Sequence, residues 1–404
     1  MFHKSYKVWF SILLIWTIIS PSAKLFNLQI FKGLLLLTGI SLIIQIAFDK
    51  NFKFKSWNLV ILLLYILIIS LGYLIGIIKG FHETAYEEYL AFLAPVFIIS
   101  LYQKKYISKH HVIKIIFYSV LTYSILKVII AILISLNIFH FNDFSNFTAK
   151  TFNMSFISYP MHLNLNIYRI YYVNDFLVSI MPLFLLKDKV KLKKELKPLF
   201  IAIFTLSILL SYSRFLIILY VFLVLVSVTR RTLWLKESKD KTIINLIKIF
   251  IIILISIWLL NKSMIIDLAS SRFYLEDNYS ADTIREQQFG VLRDMLVNNI
   301  WTGFGIGSYD KSFIRSENLF SYELQWLSFA SKFGIPLFTA FIFVIFLYIK
   351  KNVFLNSQSL LILSAVFSVG FFNPYLQSQI FGVVLLVIMI FYDKEMKNTQ
   401  TKTD

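Results

Sequence analysis

The chain has 404 residues, 58% of them hydrophobic and 15% charged. An ordinary soluble domain carries about 25% charged residues, so this composition excludes a water-soluble fold. The formal charge of +18 does not mark a nucleic-acid binder, because the basic residues fall on alternate connections between apolar runs, the positive-inside pattern of helical membrane proteins. Cysteine is absent, which excludes disulfides, a thiolate nucleophile and a thiolate metal site. The histidines show no HxxxH or HExxH spacing, so no zinc site is expected.

Apolar runs of roughly 18–22 residues recur along the chain, each long enough to cross about 30 Å of hydrocarbon as a helix. They predict an all-α polytopic fold of about twelve spans in which residues 1–404 form a single transmembrane domain. The spans fall at 8–22, 30–48, 57–78, 86–102, 112–138, 170–186, 198–212, 215–229, 243–261, 323–349, 354–372 and 376–392. The first, within MFHKSYKVWFSILLIWTIISPSAK, imitates a signal peptide but reads more simply as a retained span. An even count places both termini on one side. Lysines cluster on that side from Lys4 and Lys7 through Lys187, Lys189 and Lys191 to Lys394 and Lys397, which assigns it to the cytoplasm.

The opposite side carries two long connections, 139–169 and 262–322. Connections longer than about 15 residues are usually functional or disordered, and the composition of the second predicts that it folds. Lys127 stands near the middle of the fifth span, where a charge is costly, and the sequence suggests no role for it. Glu87 and Glu88 open the fourth span externally and are a less favoured pair for base or acceptor contacts. Neither half of the chain repeats the other, which counts against an inverted-repeat transporter.

LSILLSYSRFLIIL, residues 206–219, places Arg214 between two aliphatic runs. Mid-bilayer, that charge would cost roughly 2.5–3.5 kcal/mol on insertion scales. The spacing instead puts it in the tight external turn between the seventh and eighth spans. An interfacial arginine that snorkels to headgroups is the plain explanation; the other external arginines favour a ligand.

Within the second long loop, TIREQQFGVLRDMLVNN predicts an amphipathic helix, with Thr283 and Glu286 forming a capping box. Ile284, Val291, Leu292, Met295 and Leu296 form its apolar strip. Arg285 and Arg293 project about 80° apart around the axis. GFGIG follows. Gly303, Gly305 and Gly307 permit positive φ and close approach of backbone N–H groups to an anion, although a plain turn is the simpler reading. Arg315, Glu317 and Glu323 lead to the tenth span, and Arg272 precedes the helix. Arg169 closes the other long loop beside Asn174 and Asp175.

Arg169, Arg214, Arg272, Arg285, Arg293 and Arg315 thus all fall externally, whereas the cytoplasmic side uses lysine, with Arg230 and Arg231 as exceptions. Charge bias does not distinguish the two cations, but bidentate phosphate chemistry does. A planar fork of donors matches phosphoryl oxygens and stays charged when partly desolvated. An anionic ligand at the outer leaflet is expected, most simply a lipid-linked phosphate or diphosphate.

An external SR between two spans, an Arg-bearing helix, a GxGxG turn and a polar-to-apolar stretch ending in a lone glycine resemble the O-antigen polymerase and ligase superfamily of bacterial surface-glycan assembly. SYSRFLIIL, IREQQFGVLRDMLVNNIWTGFGIGSY and SENLFSYELQWLSFASKFGIPLF carry the resemblance, with YRIYYVNDF at 168–176 a fainter fourth segment. It implies a metal- and cofactor-independent glycosyltransferase at the periplasmic face of the inner membrane. The donor would be an undecaprenyl-diphosphate-linked oligosaccharide, with membrane lipids and a chain-length regulator as further partners. A polymerase moves the growing glycan onto a new lipid-linked repeat unit; a ligase moves it onto lipid A core. Ligases typically carry a His-Asn pair upstream of the glycine that matches Gly334, where this chain has Glu323 and Leu324, which favours the polymerase. On this resemblance Arg214 and Arg285 bind the leaving diphosphate. Glu323, or Glu317 in a shifted register, takes the acceptor proton, although either glutamate could simply complement the N-terminus of the tenth span. Arg169, Arg272, Arg293, Arg315 and the three glycines bind substrate. The rival classes are the ligase and a lipid-linked oligosaccharide flippase; a proton-coupled transporter fits less well.

Overall fold

The computed structural model describes residues 2–20, 25–26, 28–49, 56–152, 157–162, 167–186, 190, 192–193, 195–234, 276–314 and 318–393. In chain order the helices begin with α1 (Phe2–Ile19), α2 (Ile30–Ala47), α3 (Ser56–Ile78), α4 (His82–Leu101), α5 (Lys109–Ser135) and α6 (Phe141–Phe152). An antiparallel hairpin follows, β1 (Ile157–His162) with β2 (Ile167–Ile170). Then come α7 (Asp175–Ser179), α8 (Pro182–Leu186), α9 (Leu196–Ser211), α10 (Arg214–Trp234) and α11 (Glu276–Asn298). The last helices are α12 (Gln325–Asn352), α13 (Ser357–Phe367) and α14 (Gln379–Phe391).

Among the described residues, α2, α3, α4, α5 and α12 are long and apolar enough to cross a bilayer. The protein is a helical membrane protein. The expected ninth span, 243–261, lies outside the described residues. The expected sixth span, 170–186, is not one helix: α7 ends at Ser179 and α8 begins at Pro182. Proline lacks an N–H to continue a helical ladder but suits a first helical position, so it restarts the helix rather than extending it. The chain divides into two compact units, residues 1–45 with 103–278, and 46–102 with 279–404.

In the first unit α1 and α9 pack on α5, and α7 and α8 pack on α10. Tyr6, Phe10, Phe117, Phe176, Phe184 and Phe204 fill its core. In the second unit α3 packs on α4 and α12, and α4 packs on α14. Its centre is an aromatic cluster in which Phe92 lies 4.9 Å from Phe329, 5.4 Å from Phe333 and 5.8 Å from Phe341, ring centre to ring centre. Many aliphatic and aromatic side chains of the spans, Leu63 and Phe343 among them, remain exposed, as lipid-facing positions require.

Two local features depart from the sequence reading. Helix α11 begins at Glu276, upstream of Thr283, so Thr283 and Glu286 stand in the helix interior and not in a capping box. Helix α12 is kinked at Gly334, with φ of 68°, and Pro336 follows. The proline removes the N–H that would bond Lys332 O, and the Ile335 N–H turns to Ile300 O at 2.8 Å. The carbonyls so released do not stay empty: Ser331 O accepts the Phe304 N–H at 3.0 Å and Lys332 O accepts the Gly305 N–H at 2.8 Å. The kink is therefore stitched to the glycine loop, which satisfies backbone groups that burial would otherwise penalise.

Candidate functional site

In the first unit the segment 168–176 gathers polar contacts. Arg169 Nε donates to Ser211 O, the last carbonyl of α9, at 3.0 Å, and its guanidinium lies 4.7 Å from the Tyr171 ring centre. A cation at a helix C-terminus complements the dipole. Tyr212 then adopts φ of 51°, and Arg214 opens α10 after the tight turn expected from the sequence. A guanidinium at a helix N-terminus opposes the dipole, so Arg214 does not serve the helix it begins. It is half-buried. Asn174 Nδ2 donates to Ile18 O at 2.7 Å and Ser20 O at 2.9 Å, closing the end of α1.

Behind this segment Lys127, without a role in the sequence reading, finds one. Its ammonium lies 2.7 Å from Asp175 Oδ1, with both side chains almost wholly buried. The same oxygen accepts the Tyr123 hydroxyl at 2.9 Å, and Oδ2 accepts the Tyr172 N–H at 3.0 Å.

The second unit brings together two of the residues read as catalytic. Arg285 Nε donates to Glu323 Oε2 at 2.8 Å, with the guanidinium side chain 35% and the carboxylate side chain 16% exposed. One turn along α11, Gln288 Oε1 accepts the Leu324 N–H at 3.0 Å. The amphipathic helix is thus tied to the start of α12 at two successive residues, through one face whose buried members are Gln288, Leu292 and Met295. Arg293 lies elsewhere: it pairs with its neighbour Asp294 at 2.8 Å, both side chains about 60% exposed. Arg272, Arg315 and Glu317 lie outside the described residues.

Gly303, Gly305 and Gly307 have φ of 67°, 86° and 85°, as the alternating glycines led one to expect, and their N–H groups are all engaged by protein. Gly303 donates to Asn299 O and Gly305 to Lys332 O, each at 2.8 Å. Gly307 does donate to an anion, but an internal one, Glu88 Oε2 at 2.6 Å. Glu88 is fully buried and also accepts Lys332 Nζ at 2.6 Å and Gln377 Nε2 at 2.8 Å through Oε1. Lys332 Nζ bonds Phe320 O at 2.8 Å and lies 5.5 Å from the Tyr322 ring centre. Sequence reasoning passed over Lys332 and Gln377; the signal available was a lysine and a glutamate both within apolar spans, each needing a counter-charge.

The rim of this site is electrostatically distinct. Burial, with the Asp310 and Glu88 carboxylates adding to it, pushes the Tyr322 phenol up to about 12 against the opposing effect of the Asp310 N–H, which donates to Tyr322 Oη at 3.0 Å. Lys79, just past α3, donates to Asn299 Oδ1 at 2.6 Å and Gly303 O at 2.9 Å, and burial holds its ammonium below the usual lysine range.

Against this geometry, comparison with known proteins returns nothing: no family model, no curated protein and no solved structure matches the chain.

Proposed function

We propose that the chain is a surface-polysaccharide polymerase, a glycosyltransferase that moves a polyprenyl-diphosphate-linked glycan onto a new lipid-linked repeat unit at the outer face of the bacterial inner membrane. The observation that carries this reading is the Arg285–Glu323 contact of 2.8 Å. It joins the two segments of the family resemblance to which leaving-group stabilisation and proton removal had been assigned separately.

The reaction forms a bond from the acceptor hydroxyl oxygen to the donor's anomeric carbon and breaks the bond from that carbon to the diphosphate oxygen. The electron pair leaves with the diphosphate, and the hydroxyl proton goes to a base. Glu323 takes the proton. Arg285 neutralises charge building on the diphosphate, the larger of such effects in most transfer reactions. Because Arg285 rests on Glu323, an arriving diphosphate draws the guanidinium away and leaves the carboxylate to the acceptor hydroxyl. Arg214, with Arg169 bound to the end of α9, is assigned to lipid phosphate contacts. Glu323 and Leu324 stand where a ligase would carry His-Asn, which supports polymerase over ligase.

Replacing Arg285 or Arg214 by lysine substitutes a point charge for a fork. Each variant, expressed at wild-type level in a deletion strain, is expected to lower polymer by about a hundredfold and leave single repeat units on lipid A core. Full-length polymer from the lysine and alanine variants of both would overturn the assignment. Bare core in the deletion strain would indicate a ligase, and intermediates trapped at the cytoplasmic face a flippase.

A further inference from the structure

Gln288 is fully buried and stands one turn from Arg285 on the inner face of α11. Its amide orientation is fixed by chemistry. The Leu324 N–H can only donate, so the atom 3.0 Å from it is Oε1, and Nε2 is the end that faces elsewhere. Nε2 has no hydrogen-bond partner among the described residues. A buried donor without an acceptor is rare in folded proteins and calls for a specific reason. Leu292, one turn further along α11, belongs to an apolar cluster with Met295 and Tyr322 against which Leu324 packs, and Leu324, the residue Gln288 contacts, directly follows Glu323.

We infer that the Gln288 amide is an acceptor-binding group, donating through Nε2 to a hydroxyl or ring oxygen of the sugar whose neighbouring hydroxyl loses its proton to Glu323. The inference rests on the polymerase reading of the site. A neutral amide donor suits a neutral sugar oxygen, whereas the adjacent guanidinium serves the phosphoryl oxygens. The pairing also suits substrate selection, because a sugar lacking that oxygen leaves the buried donor unmet.

The test uses the full-length protein in proteoliposomes, with the lipid-diphosphate repeat unit extracted from the polymerase-deletion strain as the probe. Gln288→Glu keeps an oxygen for the Leu324 N–H and loses the donor. Where the new carboxyl is ionised the variant is expected to lose thermal stability, because burial penalises the charge, and to raise KM for the repeat unit roughly tenfold to a hundredfold, with a smaller change in kcat. As pH falls and the new carboxyl is protonated, its O–H restores a donor and KM recovers, a recovery the wild type does not show. Gln288→Met, which has no group to titrate, is expected to raise KM at every pH and serves as the deciding variant should Gln288→Glu fail to fold. Wild-type KM in either folded variant, or a raised KM in Gln288→Glu without recovery at low pH, overturns the inference and leaves the polymerase reading standing. If the wild type does not elongate the repeat unit at all, the polymerase reading falls and the assignment of Gln288 falls with it.

Discussion

Each compact unit buries a carboxylate against a lysine, and both carboxylates draw on the same kinds of donor: one ammonium, one neutral side chain and one backbone N–H. Asp175 takes Lys127, Tyr123 and the N–H of Tyr172. Glu88 takes Lys332, Gln377 and the N–H of Gly307. The difference is reach. The backbone donor of Asp175 lies three residues upstream, so this pair fixes one segment against α5. The donors of Glu88 come from the glycine loop, from α12 and from the approach to α14, and Lys332 extends the network to Phe320 O. The first is a clamp and the second a hub. A charged pair inside a membrane protein can thus hold two pieces of chain or set the position of several.

Single neutralisation should have the largest effect in both units. Lys127→Met, Asp175→Asn, Glu88→Gln and Lys332→Met each strand a buried charge or its partner, at about 3–5 kcal/mol. Denaturant or thermal unfolding of the purified protein in micelles measures this. The double variants sharpen the contrast. Lys127→Met with Asp175→Asn leaves one amide oxygen for two donors, Tyr123 and Tyr172, so it should regain the charge penalty and keep the cost of one unmet donor, about 1 kcal/mol. Glu88→Gln with Lys332→Met leaves Phe320 O without its donor and should stay about 1–3 kcal/mol below wild type. Equal recovery in the two double variants would abolish the distinction between clamp and hub.

Glycine replacements probe the same difference through packing. A Cβ at Gly305 would collide with the backbone of Gly76, in a φ of 86° that side chains rarely adopt. Gly305→Ala should therefore cost about 3 kcal/mol, or more if the loop cannot shift. Gly39 in α2 meets nothing within 4 Å, and Gly39→Ala should be neutral or stabilising by up to about 1 kcal/mol. Comparable losses at both positions would mean that the glycine loop is not the rigid partner of the kink in α12.

Much of this architecture was legible in the sequence, and what escaped has a common cause. The apolar runs marked α2, α3, α4, α5 and α12 because hydropathy is a local property read over a span's own length. Arg214 could be placed in its turn for the same reason. Local signals failed where a distant residue decides. Thr283 and Glu286 have capping-box spacing, but Glu276 to Asp282 already continue the helix upstream. Alternating glycines permitted positive φ and the approach of an anion to the backbone, beside the simpler reading of a plain turn, without revealing that Glu88, far off in sequence, would be that anion. Lys127 declared a need for a counter-charge, and only folding of the interrupted helix at 175–186 supplies Asp175.

A smaller effect separates the hub's rim from its centre by pH. Tyr322 has its folded-state pKa raised from 10.0 to about 12. Unfolded tyrosine ionises first, so between those values the folded state holds the extra proton. The associated stability is complete below pH 10 and is lost as pH rises through about 12. The size of the loss is on the order of 2 kcal/mol. Tyr322→Phe removes this alkaline slope and strands the Asp310 N–H, at about 1 kcal/mol at neutral pH. Unfolding followed between pH 9 and roughly pH 11 tests it; an unchanged slope in Tyr322→Phe would assign the alkaline loss to other groups.

The two arginines of α11 give the smallest expected difference and the most local test. Arg293 and Asp294 are sequence neighbours on a surface about 60% exposed, and such pairs contribute little because water screens them and both long side chains lose freedom. Arg293→Ala should change stability by no more than about 0.5 kcal/mol, and the change should shrink further as salt is raised. Arg285→Ala removes the partner of a carboxylate that is only 16% exposed, so it should cost about 1 kcal/mol and respond less to salt. A larger or more salt-resistant loss at Arg293 would mean that its guanidinium is held by more than Asp294, and that the working face of α11 is broader than the stripe running through Arg285, Gln288 and Leu292.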